Sequence, residues 1–387
     1  MIETDHQLHL RRMPFYWRIR KSTADQHPSI PSRLPYSFSV IPELNLVIEK
    51  REETLLACLK EMYEQESNIG FLQDGHNLSE GYGGDFLDFV QRQIASRGVK
   101  TIIEIGCGGC YLLEKLRDRG FEVTGVDPSP IAVAKGREKG IRVIPDFYPS
   151  HHVDFKADLI FHVDVLEHVP DPVGFLRLQR VGLAPDGVLM INVPDCTASI
   201  ACGDISIASH QHLNSFDDLS LCNTVAAAGL NVVTIEKSRF GGSLYCLAAL
   251  QPPSTPFRAG VPAGHAANFI SRAVEAQASF QRLAKPLLDR GESVGFYMPL
   301  RAVPYLASID RFEGFRLFDD IAHWHRGYFD GLDVPIENFD DLTHRPVEHL
   351  FIMSLTFGSA VRSKVLDRCP DISITTLGDV LASRSVA

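Results

Sequence analysis

The sequence predicts an α/β fold: a Rossmann-like sheet closed by a terminal antiparallel hairpin, followed by a second, smaller α/β domain. Three observations predict it. Residues 101–127, TIIEIGCGGCYLLEKLRDRGFEVTGVD, run from an apolar stretch and an acid through a glycine cluster and an amphipathic stretch to a second apolar run ending in an acid. That is the pattern of strand, tight turn, helix and strand. Strand and helix signals then alternate as far as Leu250. The last two strand candidates, 231–238 and 243–250, are separated only by RFGG, too short for a crossover helix, so they must pair as a hairpin. After a proline- and glycine-rich stretch at 251–264, apolar runs resume.

Taken in order, residues 1–31 are polar and proline-punctuated and read as a disordered arm. Residues 32–98 form a lead-in segment that reads as a lid over a substrate, with helical patterns at 52–65 and 84–96. Between these helices FLQDGHNLSEGYGG reads as a turn-rich loop that covers the cofactor, with His76, Glu80 and Tyr82 as site candidates and Tyr82 as a catalytic one; a solvated connection is the plain alternative. The core, 99–250, offers strands at 101–105, 122–126, 142–144, 157–163, 188–193 and the hairpin. Residues 251–264 read as a linker. The last part, 265–387, starts with an amphipathic helix over 266–285, stopped by Pro286. Short buried strands follow at SVGFYM, FRLFDD, HLFIMSL and ISITTL.

A chain of 387 residues with 45% hydrophobic and 22% charged residues describes a globular protein of more than one domain. No apolar run is long enough to span a bilayer, and the start lacks the basic-then-apolar order of a secretory signal. A formal charge of −10 argues against a broad nucleic-acid surface; the basic-aromatic tract 11–21 is the exception and reads as part of the arm. The eight cysteines are scattered. Cys107 and Cys110 have metal-like spacing, but no second pair completes a zinc site, so no metal is expected and a reducing, cytoplasmic setting is the default.

Glycines at Gly106, Gly108 and Gly109 let the backbone turn sharply and approach a ligand. Asp127 stands where a carboxylate can accept hydrogen bonds from both ribose hydroxyls of a nucleoside cofactor. These features suit a nicotinamide cofactor and therefore an oxidoreductase equally well. Glu104 separates the two: a carboxylate beside the turn repels pyrophosphate, whereas S-adenosylmethionine has no phosphate and presents an ammonium group. The segment, with Cys107 in the turn, resembles the cofactor signature of the class I S-adenosylmethionine-dependent methyltransferases. It departs from that signature at Cys110, where the family often has glycine.

That resemblance implies further contacts. Asp146 would meet the adenine amino group, with Phe147 and Pro128 against the ring. ADLIFHVDVLEHVPDP resembles the family's fourth motif, with His162, Val163 and Asp164 along the methionyl side and Leu166-Glu167-His168 opening the next element. Asn192 to Asp195 would end the fifth strand at the active-site edge. Removing a proton from an oxygen or carbon acceptor requires a base, and histidine titrates in the right range. His168 follows the fourth strand; His210 and His212 alternate in SIASHQHLNSF and would share a face of an extended segment.

The order of core, proline-rich link, helix and small α/β unit is similar to the sugar C-methyltransferases of deoxysugar biosynthesis. DDIAHWHRGYFDGLDVPIENFDDL looks like that family's acid pair, variable loop and turn before a strand end. This chain lacks the cysteine-rich N-terminal zinc module. It has Ser209, His210, Gln211 and His212 where the family reads Tyr-x-Glu-His, leaving His212 as the favoured base, and it has Gly295-Phe296-Tyr297-Met298 in place of a glycine-rich turn. The resemblance implies a small-molecule methyltransferase with a changed acceptor. That acceptor is a sugar or nucleotide-linked sugar, or another natural-product intermediate methylated at O or N. A non-catalytic relative of the fold is the remaining alternative.

Overall fold

The computed structural model describes residues 8–16, 18–65 and 77–383. The chain divides into two compact units, one of residues 41–197 and 211–264, the other of residues 1–40, 198–210 and 265–387. The backbone therefore passes from one unit to the other four times, at 40/41, 197/198, 210/211 and 264/265.

The first unit is built on seven strands: β1 (Thr101–Ile105), β2 (Glu122–Val126), β3 (Arg142–Ile144), β4 (Ala157–Val163), β5 (Leu183–Pro194), β6 (Asn231–Lys237) and β7 (Ser243–Ala249). Their order is β6-β7-β5-β4-β1-β2-β3, parallel except for β7, which runs antiparallel to both β5 and β6. The hairpin expected from RFGG is present. Burial follows the two-residue period of a strand. Ile102, Leu159 and Phe161 face one layer, with Phe86, Phe89, Leu113 and Leu116. Ile103, Ile160 and Ile191 face the other, with Leu176, Leu221 and Val225. Reversal of strand order between β1 and β4 opens the crevice at their carboxyl ends where such sheets bind ligands.

Three helices of this unit matter for the site: α1 (Glu53–Gln65), α2 (Asn77–Ile94) and α3 (Tyr111–Arg117). The loop expected at 71–84 is in its described part the start of α2, so Glu80 and Tyr82 are helical; His76 lies outside the described residues. Gly81 disguises the helix because it serves packing: a Cβ there would sit 2.9 Å from the Phe240 ring. Asp85 ties α2 to the hairpin, accepting from Ser238 Oγ at 2.8 Å and Tyr245 Oη at 3.0 Å.

In the second unit, residues 8–16 and 18–31 depart from the expected disordered arm. Leu8–Pro14 pairs antiparallel with Arg33–Ile41, and Ile19–Arg20 pairs with Tyr328–Phe329. Arg20 is fully buried; it donates to the carbonyls of Phe329 and Leu332 at 3.0 Å and pairs with Asp330 at 3.2 Å. Five parallel strands follow: β8 (Val294–Tyr297), β9 (Arg316–Phe318), β10 (Ile336–Glu337), β11 (His349–Ile352) and β12 (Ser373–Thr376), in the order β10-β9-β8-β11-β12. The long helix α4 (Phe269–Asp289) does not stop at Pro286. Its last turn continues because Ala284 and Leu288 are buried, offsetting the lost hydrogen bond of an interior proline, which costs about 3 kcal/mol.

Candidate active site

The site of the first unit grows from the turn between β1 and α3. Gly106 and Gly108 have φ of 73° and 46°, the left-handed region that glycine tolerates, and a Cβ on Gly106 would lie 2.7 Å from Val165 Cγ2. Cys110 also sits there, at φ 59°, which explains why glycine suits that position in similar sequences. The Cys107 and Cys110 sulfurs are 3.9 Å apart, and both residues are buried in the hydrophobic layer beneath the turn.

Asp127, at the end of β2, closes the turn. Its Oδ2 accepts from the Gly108 amide at 2.9 Å and its Oδ1 from the Ser129 amide at 2.8 Å. Burial raises its pKa, while those two amides oppose the rise. Glu104 is 4% exposed and its Oε2 has no hydrogen-bond partner. Its carboxyl is pushed well above the ordinary range by burial first, then by Cys110 and Asp127. The turn therefore holds two neighbouring acids, one of them unsatisfied, beside an open backbone curve. That arrangement favours a cationic ligand and penalises an anionic one.

Around this turn, Pro128 is half-buried and Phe147 is 45% exposed. Asp146 accepts from the Phe147 amide at 2.8 Å, and its pKa is lowered chiefly by Ser150. Val163 is half-buried at the end of β4. His162 lines nothing: it is fully buried, both ring nitrogens lack partners, and its ring lies 5.7 Å from Phe175. Burial drives its pKa down to about 3.

A polar cluster stands at the carboxyl ends of β4 and β5 and the amino end of the antiparallel β7. Tyr82 Oη donates to Asp164 Oδ1 at 2.8 Å, accepts from Ser243 Oγ at 3.0 Å and lies 3.3 Å from Asn192 Oδ1. Asp164 has φ 52° and a pKa raised to about 6 by burial, against the pull of Tyr82.

Beside it, a short turn carries Glu167 and His168. Asn214 clamps that turn: its amide nitrogen donates to the carbonyls of Leu166 at 3.0 Å and Val169 at 2.8 Å, while its oxygen accepts from Arg51 at 2.7 Å. His168 Nδ1 lies 2.6 Å from the Gln211 carbonyl, which can only accept, so Nδ1 carries the proton and Nε2 the lone pair. Tyr63 Oη is 3.2 Å from the same Nδ1. Burial lowers the His168 pKa to about 4, partly opposed by the Gln211 carbonyl. His212 stands edge-on to His168, ring centroids 5.0 Å apart.

His210 does not share this environment. It belongs to the other unit, 3% exposed, its ring 5.4 Å from both Phe15 and Tyr36. Sequence reasoning passed over Ser243 and gave Glu167 no role. Glu167 had a signal in its position beside His168; Ser243 had none.

Residues 77–235 match the family model described as a methyltransferase domain. This region is a class I S-adenosylmethionine-dependent methyltransferase domain. Among curated relatives, a ubiquinone biosynthesis O-methyltransferase of Actinobacillus pleuropneumoniae serotype 7 (strain AP76) is 33% identical over 119 residues, covering 27% of this chain and 50% of the relative. The C-methyltransferase NovU of Streptomyces niveus is 26% identical over 170 residues, covering 42% of this chain and 40% of NovU. The chain thus spans about half the length of the curated relatives it matches. A crystal structure of magnesium protoporphyrin IX methyltransferase from Synechocystis PCC 6803 aligns with a TM-score of 0.39 at 15% identity, over 52% of this chain and 100% of that one. Glu104, Asp127, Asp164 and His212 all fall inside the methyltransferase domain. Among the described residues no helix is long and apolar enough to cross a membrane.

Proposed function

We propose that the domain binds S-adenosylmethionine and transfers its methyl group to a small-molecule acceptor. The observation that carries this is Glu104, a buried acid with an unsatisfied oxygen beside the glycine turn. A ligand ammonium answers it, and a pyrophosphate does not. When bound, the cofactor supplies a methyl group on a sulfonium, ready for in-line displacement. The chain's residues do the rest. Asp127 holds the ribose, Glu104 the ammonium, and Asp146, Phe147 and Pro128 the adenine edge and faces. Val163 and Asp164 border the methionyl side, with Asp164 oriented by Tyr82.

An acceptor that gives up a proton on methylation would need a base from this chain to take it. His212 is that base. His168 has its Nδ1 engaged by Gln211 and its Nε2 turned toward Glu167 at 3.7 Å, and His210 packs among the aromatic rings of the other unit. Placement of donor and acceptor at near-attack distance contributes about 7–11 kcal/mol at best. A sugar or nucleotide-linked sugar is the favoured acceptor, from the resemblance to sugar C-methyltransferases; another natural-product intermediate methylated at O or N is the alternative.

Calorimetry with S-adenosylhomocysteine and with a nicotinamide dinucleotide tests the cofactor. Binding of the first and not the second is expected, and the reverse would overturn the proposal. Incubation with labelled cofactor and a cell extract, followed by mass spectrometry of the labelled product, identifies the acceptor. Cofactor binding without any labelled product would point to a non-catalytic role.

A further inference from the structure

We infer that Glu167, His168 and His212 bind a divalent transition-metal cation. One ligand atom from each lies within 4.8 Å of the other two. Glu167 is 1% exposed, and neither of its carboxylate oxygens has a hydrogen-bond partner. A buried carboxylate left in that state is costly unless a cation reaches it. Among the described residues neither Glu167 nor its neighbour Asp164 forms an ion pair with lysine or arginine.

The histidines are arranged for the same purpose. A metal-binding imidazole usually donates its second nitrogen to a carbonyl or carboxylate, which fixes the tautomer and leaves a lone pair for the metal. His168 does this: Nδ1–H meets the Gln211 carbonyl at 2.6 Å, and Nε2 points toward Glu167 Oε1 at 3.7 Å. The Asn214 clamp on the carbonyls of Leu166 and Val169 holds the turn that carries two of the three ligands. Ligand atoms about 2.1 Å from one centre lie roughly 3.4 Å apart at tetrahedral angles, so a cation would draw the three side chains inward by an ångström or so. Two imidazoles and one carboxylate select zinc, manganese or iron over the purely oxygen-seeking magnesium and calcium. Three protein ligands leave open positions, the mark of a site that accepts a further oxygen ligand.

The site's role rests on the methyl-transfer reading, but its existence does not. An acceptor hydroxyl bound at the open position would lose its proton more readily, and His212 would then assist proton removal as a ligand of the cation and not as a free base.

The test uses the full-length protein, stripped with a chelator and dialysed. Mn²⁺ is titrated with detection of free ion by paramagnetic resonance, and Zn²⁺ uptake is measured by elemental analysis, both without cofactor or acceptor. One cation per chain is expected. Glu167→Gln and His212→Ala should each weaken Mn²⁺ binding at least tenfold, while S-adenosylhomocysteine affinity changes less than threefold. In the unsubstituted protein, Mn²⁺ should broaden the imidazole signals of His168 and His212 before those of the exposed pair His151 and His152, a readout independent of how the variants fold. No uptake of either metal at millimolar concentration would overturn the inference, as would equal broadening of all four histidines. Loss of S-adenosylhomocysteine binding with metal binding intact would instead strike at the cofactor reading alone.

Discussion

Glu104→Gln separates a ligand-binding acid from a structural one. The substitution keeps shape and removes charge. In the free protein Glu104 is buried, its Oε2 unpartnered, with Asp127 close enough to raise its pKa further. A carboxyl whose folded pKa lies above its unfolded value contributes stability only at low pH; that contribution is lost as pH rises through the raised pKa. At neutral pH the free protein therefore gains nothing from the charge, and the glutamine variant should melt at the same temperature or higher. Cofactor binding should move the other way. A hydrogen bond between charged groups is worth about 1.5–3 kcal/mol, so S-adenosylhomocysteine affinity should fall about 10- to 150-fold. The pH dependence should change as well. The unsubstituted protein should bind more tightly as pH rises through the Glu104 pKa and should release a proton on binding, seen by calorimetry in buffers of different ionisation heat. The variant should show neither effect. Unchanged affinity, or a lower melting temperature with the pH dependence intact, would refute the reasoning.

Asp127→Ala should weaken S-adenosylhomocysteine binding tenfold or more in the same calorimeter, since it removes both the proposed ribose acceptor and the brace on the Gly108 amide. His212→Ala should lower turnover a hundredfold or more with little change in cofactor affinity; full turnover in that variant, with loss in His168→Ala, would move the role to His168. His162 titrates at about 3 in the folded chain, so the unfolded chain alone takes up its proton below about pH 6.5, and stability falls as the solution is acidified. His162→Leu should remove that term, worth about 2 kcal/mol at pH 5, so its thermal midpoint should exceed the parent's by more at pH 5 than at pH 7.5.

The parts of the fold legible in the sequence were those decided locally. Strands β1 to β4 begin and end where their apolar runs do, because the sheet buries both faces and the glycine turn and polar joints punctuate it. What escaped reading depended on distant partners. Leu8–Pro14 looks polar and irregular until Arg33–Ile41 lies against it. The glycines of α2 look like a loop until the Phe240 ring is seen over Gly81. Pro286 looks like a stop until the burial of Leu288 is counted. The candidate site divides the same way. Glu104 and Asp127 could be placed by their spacing around one turn, whereas the meeting of Glu167, His168 and His212 joins residues more than forty positions apart. His210, two residues from His212, went to the other unit because the chain crosses between units at that point.

That crossing pattern governs how the protein can be made. All seven strands around the glycine turn have been translated by Ala249, yet Nη2 of Arg20 must wait for acceptors beginning at Phe329, 309 residues downstream. At about 5–20 residues per second the ribosome takes roughly 15–60 seconds to supply them. Throughout that interval a side chain destined for full burial stays in water, and closing so long a loop costs about 5 kcal/mol of chain entropy. The segment around Arg20 is thus among the last to settle. A chain ending before Phe329 would keep its methyltransferase sheet but deprive Arg20 of those partners, and no single cut can free one unit from the other.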